Sequence, residues 1–158
     1  MRINRGKLSL EGVAKKALEL DAEKVVIIGG WRGSPGKIEF FRINEKGLDV
    51  VPPLIFIKKV KLRRDFEENL PRGKIKPVTI TASQRTSLEV KRLENVLSEF
   101  FSIPVLSLKE IYNRKYDAAM QISADQSNRI TITFKLIPEL VEAGPQIRIS
   151  HLVWKLTR

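Results

Sequence analysis

The stretch that decides the fold begins Arg2-Ile3-Asn4-Arg5-Gly6-Lys7-Leu8-Ser9-Leu10 and passes through a helical pattern to Val25-Val26-Ile27-Ile28. It continues Gly29-Gly30-Trp31-Arg32-Gly33-Ser34-Pro35-Gly36-Lys37 and ends on Ile38-Glu39-Phe40-Phe41. Ser9 is a natural N-cap. Leu10, Val13, Ala14, Ala17 and Leu18 recur at i, i+3, i+4, i+7 and i+8, which lays one apolar stripe along a helix ending near Asp21. Val25–Ile28 is a continuous β-branched run of the length expected for a buried strand. The glycine-rich, proline-containing segment Gly29–Gly36 stops it. Lys37–Ile43 resumes as a strand, so the pair reads as a hairpin with a long loop.

Working outward, a looser copy of this plan appears about ninety residues later. Leu8-Ser9-Leu10 recurs as Leu106-Ser107-Leu108, Lys37-Ile38 with Phe40 as Arg129-Ile130 with Ile132, and Pro53-x-Ile55-x-Ile57 as Pro145-x-Ile147-x-Ile149. The shared order favours an internal duplication. Between the copies, Pro52-Pro53 punctuates the chain and Leu54–Leu62 reads as a strand with Ile55 and Ile57 on one face. Asn69-Leu70-Pro71-Arg72-Gly73 reads as a turn between halves. Val78–Thr81 is a short strand. Ser83 or Thr86 caps a long helix whose stripe is Leu93, Val96, Leu97, Phe100 and Phe101. Ile103–Leu106 is a strand, and Ser107-Leu108-Lys109-Glu110 is a capping box that opens a short helix. Ala118–Ala124 and Arg129–Leu136 form a hairpin turning at Asp125-Gln126-Ser127-Asn128. Gln146–Leu156 is the last strand.

The expected fold is therefore α/β: a single domain over 1–158 with two similar halves in tandem, 1–74 and 77–158, each a mixed sheet with helices. The second half opens with a strand and a long helix, Val78–Phe101. The first half lacks that leading strand–helix unit, which predicts an exposed sheet edge.

The chain has 158 residues, no cysteine and one histidine, His151. Disulfides, thiolate zinc sites and cysteine nucleophiles are excluded, and His-rich metal sites and most His-assisted acid–base schemes are unavailable within one chain. No run reaches the roughly 18 apolar residues of a membrane helix, and no signal pattern opens the chain, so a soluble intracellular protein without a membrane partner is expected. The formal net charge is +11. That balance points to a polyanion, most simply nucleic acid, over a merely solubilising surface.

The glycine loop fails as a phosphate loop. Counting back from Gly36-Lys37 by the Walker spacing lands on Trp31, Ile38 stands where Ser or Thr is needed, and a strand follows instead of a helix. The loop is instead expected to offer backbone N–H groups, Arg32 and Lys37 to RNA phosphates. Trp31 either stacks on a base or packs at the loop base, and packing is the more ordinary outcome. Asn4-Arg5-Gly6-Lys7 and Thr81-Ala82-Ser83-Gln84-Arg85-Thr86 both precede helix N-termini, which favour anions. Candidate RNA contacts are Arg5, Lys7, Arg32, Lys37, Lys58, Lys59, Lys61, Arg63, Arg64, Arg72, Lys74, Lys76 and Arg85. His151 reads as a packing or surface residue. Glu11, Glu19, Glu94 and Glu99 read as solvated helix faces. No nucleophile–base pair or metal cluster assembles, so no cofactor, metal, small-molecule substrate or enzymatic activity is expected.

Arg2–Lys7 before a helix, the Val-Ile strand, the Gly-rich loop and the late Glu142-Ala143-Gly144-Pro145-Gln146-Ile147 together resemble the Brix-domain family, its archaeal members above all. The resemblance covers nearly the whole chain. It implies two α/β halves, each like the anticodon-binding domain of class II aminoacyl-tRNA synthetases. It also implies a role in ribosome biogenesis through pre-ribosomal or guide RNA, beside other assembly proteins. The location implied is cytoplasmic in an archaeal cell and nucleolar in a eukaryotic one. Two departures stand out. The family's opening strand and Ser/Arg-rich turn have no counterpart here, and Gln146 stands where the family commonly has arginine. The expected function is that of a non-enzymatic rRNA chaperone or scaffold in pre-rRNA processing and small-subunit assembly. A tRNA anticodon-binding-type module and a protein–protein assembly factor without RNA contact are the alternatives.

Overall fold

A computed structural model describes residues 1–66, 78–83 and 87–156. Among the described residues, three α-helices, α1 (Leu10–Glu19), α2 (Leu88–Phe101) and α3 (Leu108–Tyr112), pack on one mixed sheet. Its strands are β1 (Lys24–Trp31), β2 (Ser34–Asn44), β3 (Gly47–Lys61), β4 (Val78–Thr81), β5 (Val105–Leu106), β6 (Ala118–Ala124), β7 (Ile130–Leu136), β8 (Val141–Glu142) and β9 (Gln146–Val153). The order across the sheet is β1-β2-β3-β9-β7-β6-β4-β5, with β8 paired to β7 off this path. The contacts β4–β5 and β4–β6 are parallel, and the others are antiparallel.

The helices start where side chains supply the missing acceptors. Ser9 accepts from the Gly12 N–H, and Ser107 and Glu110 exchange bonds in a full capping box. The long helix is capped by Ser87, which accepts from Val90 N, and not by Ser83 or Thr86. Ser83 lies within the described residues but is engaged elsewhere, and Thr86 falls outside them.

The glycine segment departs from expectation. Gly29–Trp31 and Ser34–Lys37 are strand residues, and only Arg32-Gly33 turns. Both turn residues have positive φ, 48° and 78°, the backbone of a two-residue hairpin turn whose twist matches the flanking strands. A register shift at Gly29/Gly30 absorbs the remaining length. The run Val25–Ile28 is not a buried strand either. It lies in β1 at the edge of the sheet, with Val26 and Ile28 exposed and Ile27 buried. Arg2–Asn4 form no strand.

Pro52-Pro53 do not separate two segments, because β3 runs through them. Val51 faces Phe40 and Ile55 faces Ile38, so Pro52, Pro53 and Leu54 oppose Glu39 alone. The prolines occupy this bulge, where no ladder N–H is required of them, and β9 joins β3 only from Leu54 onward.

Each strand divides its residues between two faces. On one, α2 inserts Val90, Leu93, Leu97 and Phe100 among Phe40, Ile55, Ile80, Met120, Ile122, Ile130, Ile132 and Ile149, which forms the main core. The other face carries α1 over β2 and β3, where Ala14, Ala17 and Phe41 are buried. It also carries α3 beside β4, where Ile111 packs with Leu106 and Ala119. Paired residues share a face, so registers can be traced across the sheet.

Candidate nucleic-acid interface

Two cross-strand rows occupy the α1 and α3 side of the sheet. The first runs Gly29, Lys37, Phe56, His151 across β1, β2, β3 and β9. The second runs Lys59, Arg148, Thr131, Ser123 across β3, β9, β7 and β6. The residues on the other side of the same strands, such as Ile55, Ile149 and Ile132, lie in the core beneath α2. Lys59, Arg148, Ser150 and His151 are exposed, so neither α1 nor α3 covers the middle of this face.

The chemistry here is not what folding alone selects. Lys59 stands directly opposite Arg148, and like charges in register cost stability. Among the described residues, no carboxylate forms an ion pair with either. In the first row the Phe56 and His151 rings stack, with centroids 4.4 Å apart and planes 13° from parallel. Ser150 Oγ lies 3.1 Å from His151 Nδ1 and steadies the imidazole. The lone histidine of the chain is thus exposed and forms half of a stacked aromatic pair whose other ring, Phe56, is partly buried. Phe56, Arg148 and His151 were not among the candidates read from the sequence. The signal that finds them is the register between β3 and β9, which joins Phe56 to His151 and Lys59 to Arg148 across 95 and 89 positions.

The candidates drawn from the sequence divide among several places. Lys37 and Lys59 lie in these rows, and Lys37 Nζ sits 3.4 Å from Glu39. Lys58 is exposed at a register shift in β3. Arg32 occupies the β1–β2 turn with its guanidinium 5.8 Å from the Trp31 ring. Trp31 is 70% exposed, so it does not pack at a loop base. The segment is a paired hairpin at the edge of the sheet, so the β1–β2 ladder takes up part of its backbone N–H groups and the outer side of β1 carries the rest. Arg5 donates to the Leu8 carbonyl at 2.9 Å, and Asn4 accepts from Gly6 N, so Asn4-Arg5-Gly6 forms a self-supporting turn ahead of α1 with Lys7 exposed beside it. Lys61 lies 4.1 Å from the Phe66 ring. Arg63 and Arg64 follow in a short 3-10 turn, Arg63–Asp65. Arg72, Lys74, Lys76, Arg85 and the proposed boundary at Asn69–Gly73 lie outside the described residues.

Two further motifs resolve into structural roles. Gly144, at φ +65°, lies against Phe66, and a methyl group there would run into the ring, so Gly144-Pro145 is a packed entry into β9. Gln146 donates to Glu142 within that entry. Glu94 is not on a solvated face. It is 1% exposed and accepts from Ser83 N–H at 3.2 Å, with the Ser83 hydroxyl 2.6 Å away. The reason is its place in α2: four residues after Val90 and beside Leu93, it is carried inward with the stripe. The Lys91 ammonium donates to the Ser83 carbonyl at 2.9 Å, so this cluster fixes the start of the turn into α2. Among the described residues, no group of three or more His, Asp or Glu could hold a metal ion, and no helix is long and apolar enough to cross a membrane.

No family model matches the chain. A curated protein does: the chain is 26% identical over 121 residues to a probable Brix domain-containing ribosomal biogenesis protein of Pyrococcus horikoshii, covering 70% of this chain and 54% of that protein. The chain is similar to a protein described as a probable Brix-domain protein. It spans about half the length of that curated relative. The family resemblance carried by Arg2–Lys7 and Glu142–Ile147 thus agrees with a relative of that description. A crystal structure of a probable ribosomal biogenesis protein from Aeropyrum pernix K1 shares the fold with a TM-score of 0.68 and 20% identity, over 97% of this chain and 83% of that one.

Proposed function

We propose that the chain is a non-enzymatic RNA-binding factor in ribosome biogenesis, one that holds pre-rRNA or a ribosome-associated guide RNA during small-subunit assembly. The observation that carries this is Lys59 facing Arg148 on an open sheet face, beside the exposed His151 ring stacked on Phe56. A phosphate backbone supplies the missing counter-charge and turns a cost to folding into affinity. The description of the Pyrococcus relative favours the cellular process. On this reading Lys37, Lys58, Lys59 and Arg148 form the central contact. Arg5, Lys7, Arg32, Lys61, Arg63, Arg64, Arg72, Lys74, Lys76 and Arg85 extend it, other assembly proteins complete the specificity, and the work is done in the cytoplasm of an archaeal cell.

The proposal includes a single domain of two similar halves, each like a class II synthetase anticodon-binding domain. The strand order supports it, since β1-β2-β3 and β6-β7-β9 meet at the β3–β9 pair as mirrored series. Val26 opposite Phe40 then corresponds to Ile122 opposite Ile132. The experiment is crosslinking in cells followed by sequencing of the attached RNA. Enrichment of rRNA precursors supports the function; a tRNA-dominated yield, or none above background, contradicts it.

A further inference from the structure

We infer that the Phe56–His151 pair is a platform for an unpaired base, so that the sheet face selects single-stranded RNA over duplex. This rests on the RNA-binding function proposed above and deepens it. The imidazole is exposed, one of its faces is held against Phe56, and Ser150 restrains its rotation. An aromatic ring fixed in this way loses little freedom when a base stacks on it, and every base offers a π-face to it. In a duplex those faces are already stacked on one another, so a ring standing on a sheet can meet only a base that has left the stack. The second row supplies the rest of the site. Arg148 and Lys59 lie on the same face of the same two strands and can take the phosphates that flank the stacked nucleotide. An ordinary acidic protein partner has use for the charges but not for the ring, and the pairing of both on one face favours the nucleic acid.

Fluorescence anisotropy of the full chain tests this, with a short labelled uridine oligonucleotide and an RNA hairpin stem as probes. His151→Ala should lower affinity for the oligonucleotide by roughly 5- to 100-fold relative to the change for the stem. His151→Phe, which keeps a ring, should restore most of the single-strand affinity. Arg148→Glu should weaken both probes. If His151→Ala shifts neither probe, or both equally, while Arg148→Glu still weakens both, the platform is overturned and the RNA-binding function stands. If neither RNA binds the unmodified chain and a polyglutamate peptide does, the RNA-binding function falls as well. Because His151 is exposed, the Ala variant is expected to fold, and its unfolding curve should overlay that of the unmodified chain.

Discussion

The two faces of the central strands differ as much as two surfaces of one sheet can. Beneath α2, Ile55, Ile149 and Ile132 are sealed in the core. One residue along the same strands, Phe56, Arg148 and Thr131 belong to the opposite face, where Arg148 meets Lys59 and Phe56 meets His151. The difference teaches that stability and binding are drawn from alternate residues of the same segments. It also separates side chains that ordinary packing explains from those it does not. Neighbours in sequence should therefore give opposite outcomes when changed.

The largest effect is expected in the core. Ile149→Ala removes a buried side chain facing α2 and should cost about 2–5 kcal/mol in urea unfolding, with RNA affinity of the folded chain little changed. Next comes Lys59→Glu, which replaces a like-charge pair by an ion pair with Arg148. RNA affinity should fall about tenfold, while stability rises by about 0.2–1 kcal/mol. A gain on both counts would break the comparison, since the charge would then have no task. Ser87→Ala removes the N-cap of α2 and should cost about 1 kcal/mol by thermal unfolding, again on the core side of the account.

The smallest effect is a pH dependence. Bonds from the Ser107 N–H and then its hydroxyl hold the Glu110 carboxyl below the usual carboxylate range, with Arg114 adding to the shift. The Arg129 N–H, and after it the Ser127 N–H, do the same for Asp125. A carboxyl held low in the folded chain stabilises it above the unfolded carboxylate range, and that contribution is lost as pH falls through the lowered value. A plot of Tm against pH for Glu110→Gln should therefore lie slightly below the unmodified chain at neutral pH and converge with it in acid.

Much of this was legible in the residues. Local chemistry fixed the Ser9 cap, the Ser107 capping box and the Ala118–Leu136 hairpin, because each depends on contacts within a few positions. The exposed sheet edge also showed: among the described residues β1 pairs with β2 alone, whereas β6 is flanked by β4 and β7. What failed had non-local causes. A β-branched run reads the same at an edge as in the middle of a sheet, so Val25–Ile28 gave no warning that Val26 and Ile28 stay exposed. Four glycines suggested a loop, yet a two-residue turn with one register shift accommodates them. Glu94 looked solvated until Ser83 supplied donors from another segment. The interface was half visible: the lysines of 58–61 were singled out, but Arg148 and His151 become partners only through the β3–β9 register.

The most direct test is the salt dependence of RNA binding, measured for the unmodified chain and for Lys59→Glu/Arg148→Glu together. With about six phosphates neutralised on single-stranded RNA, log K should fall against log salt with a slope of about −4, and the double variant should be shallower by about 1.4. A salt-independent affinity, or an identical slope in the double variant, would contradict the claim that this face binds RNA.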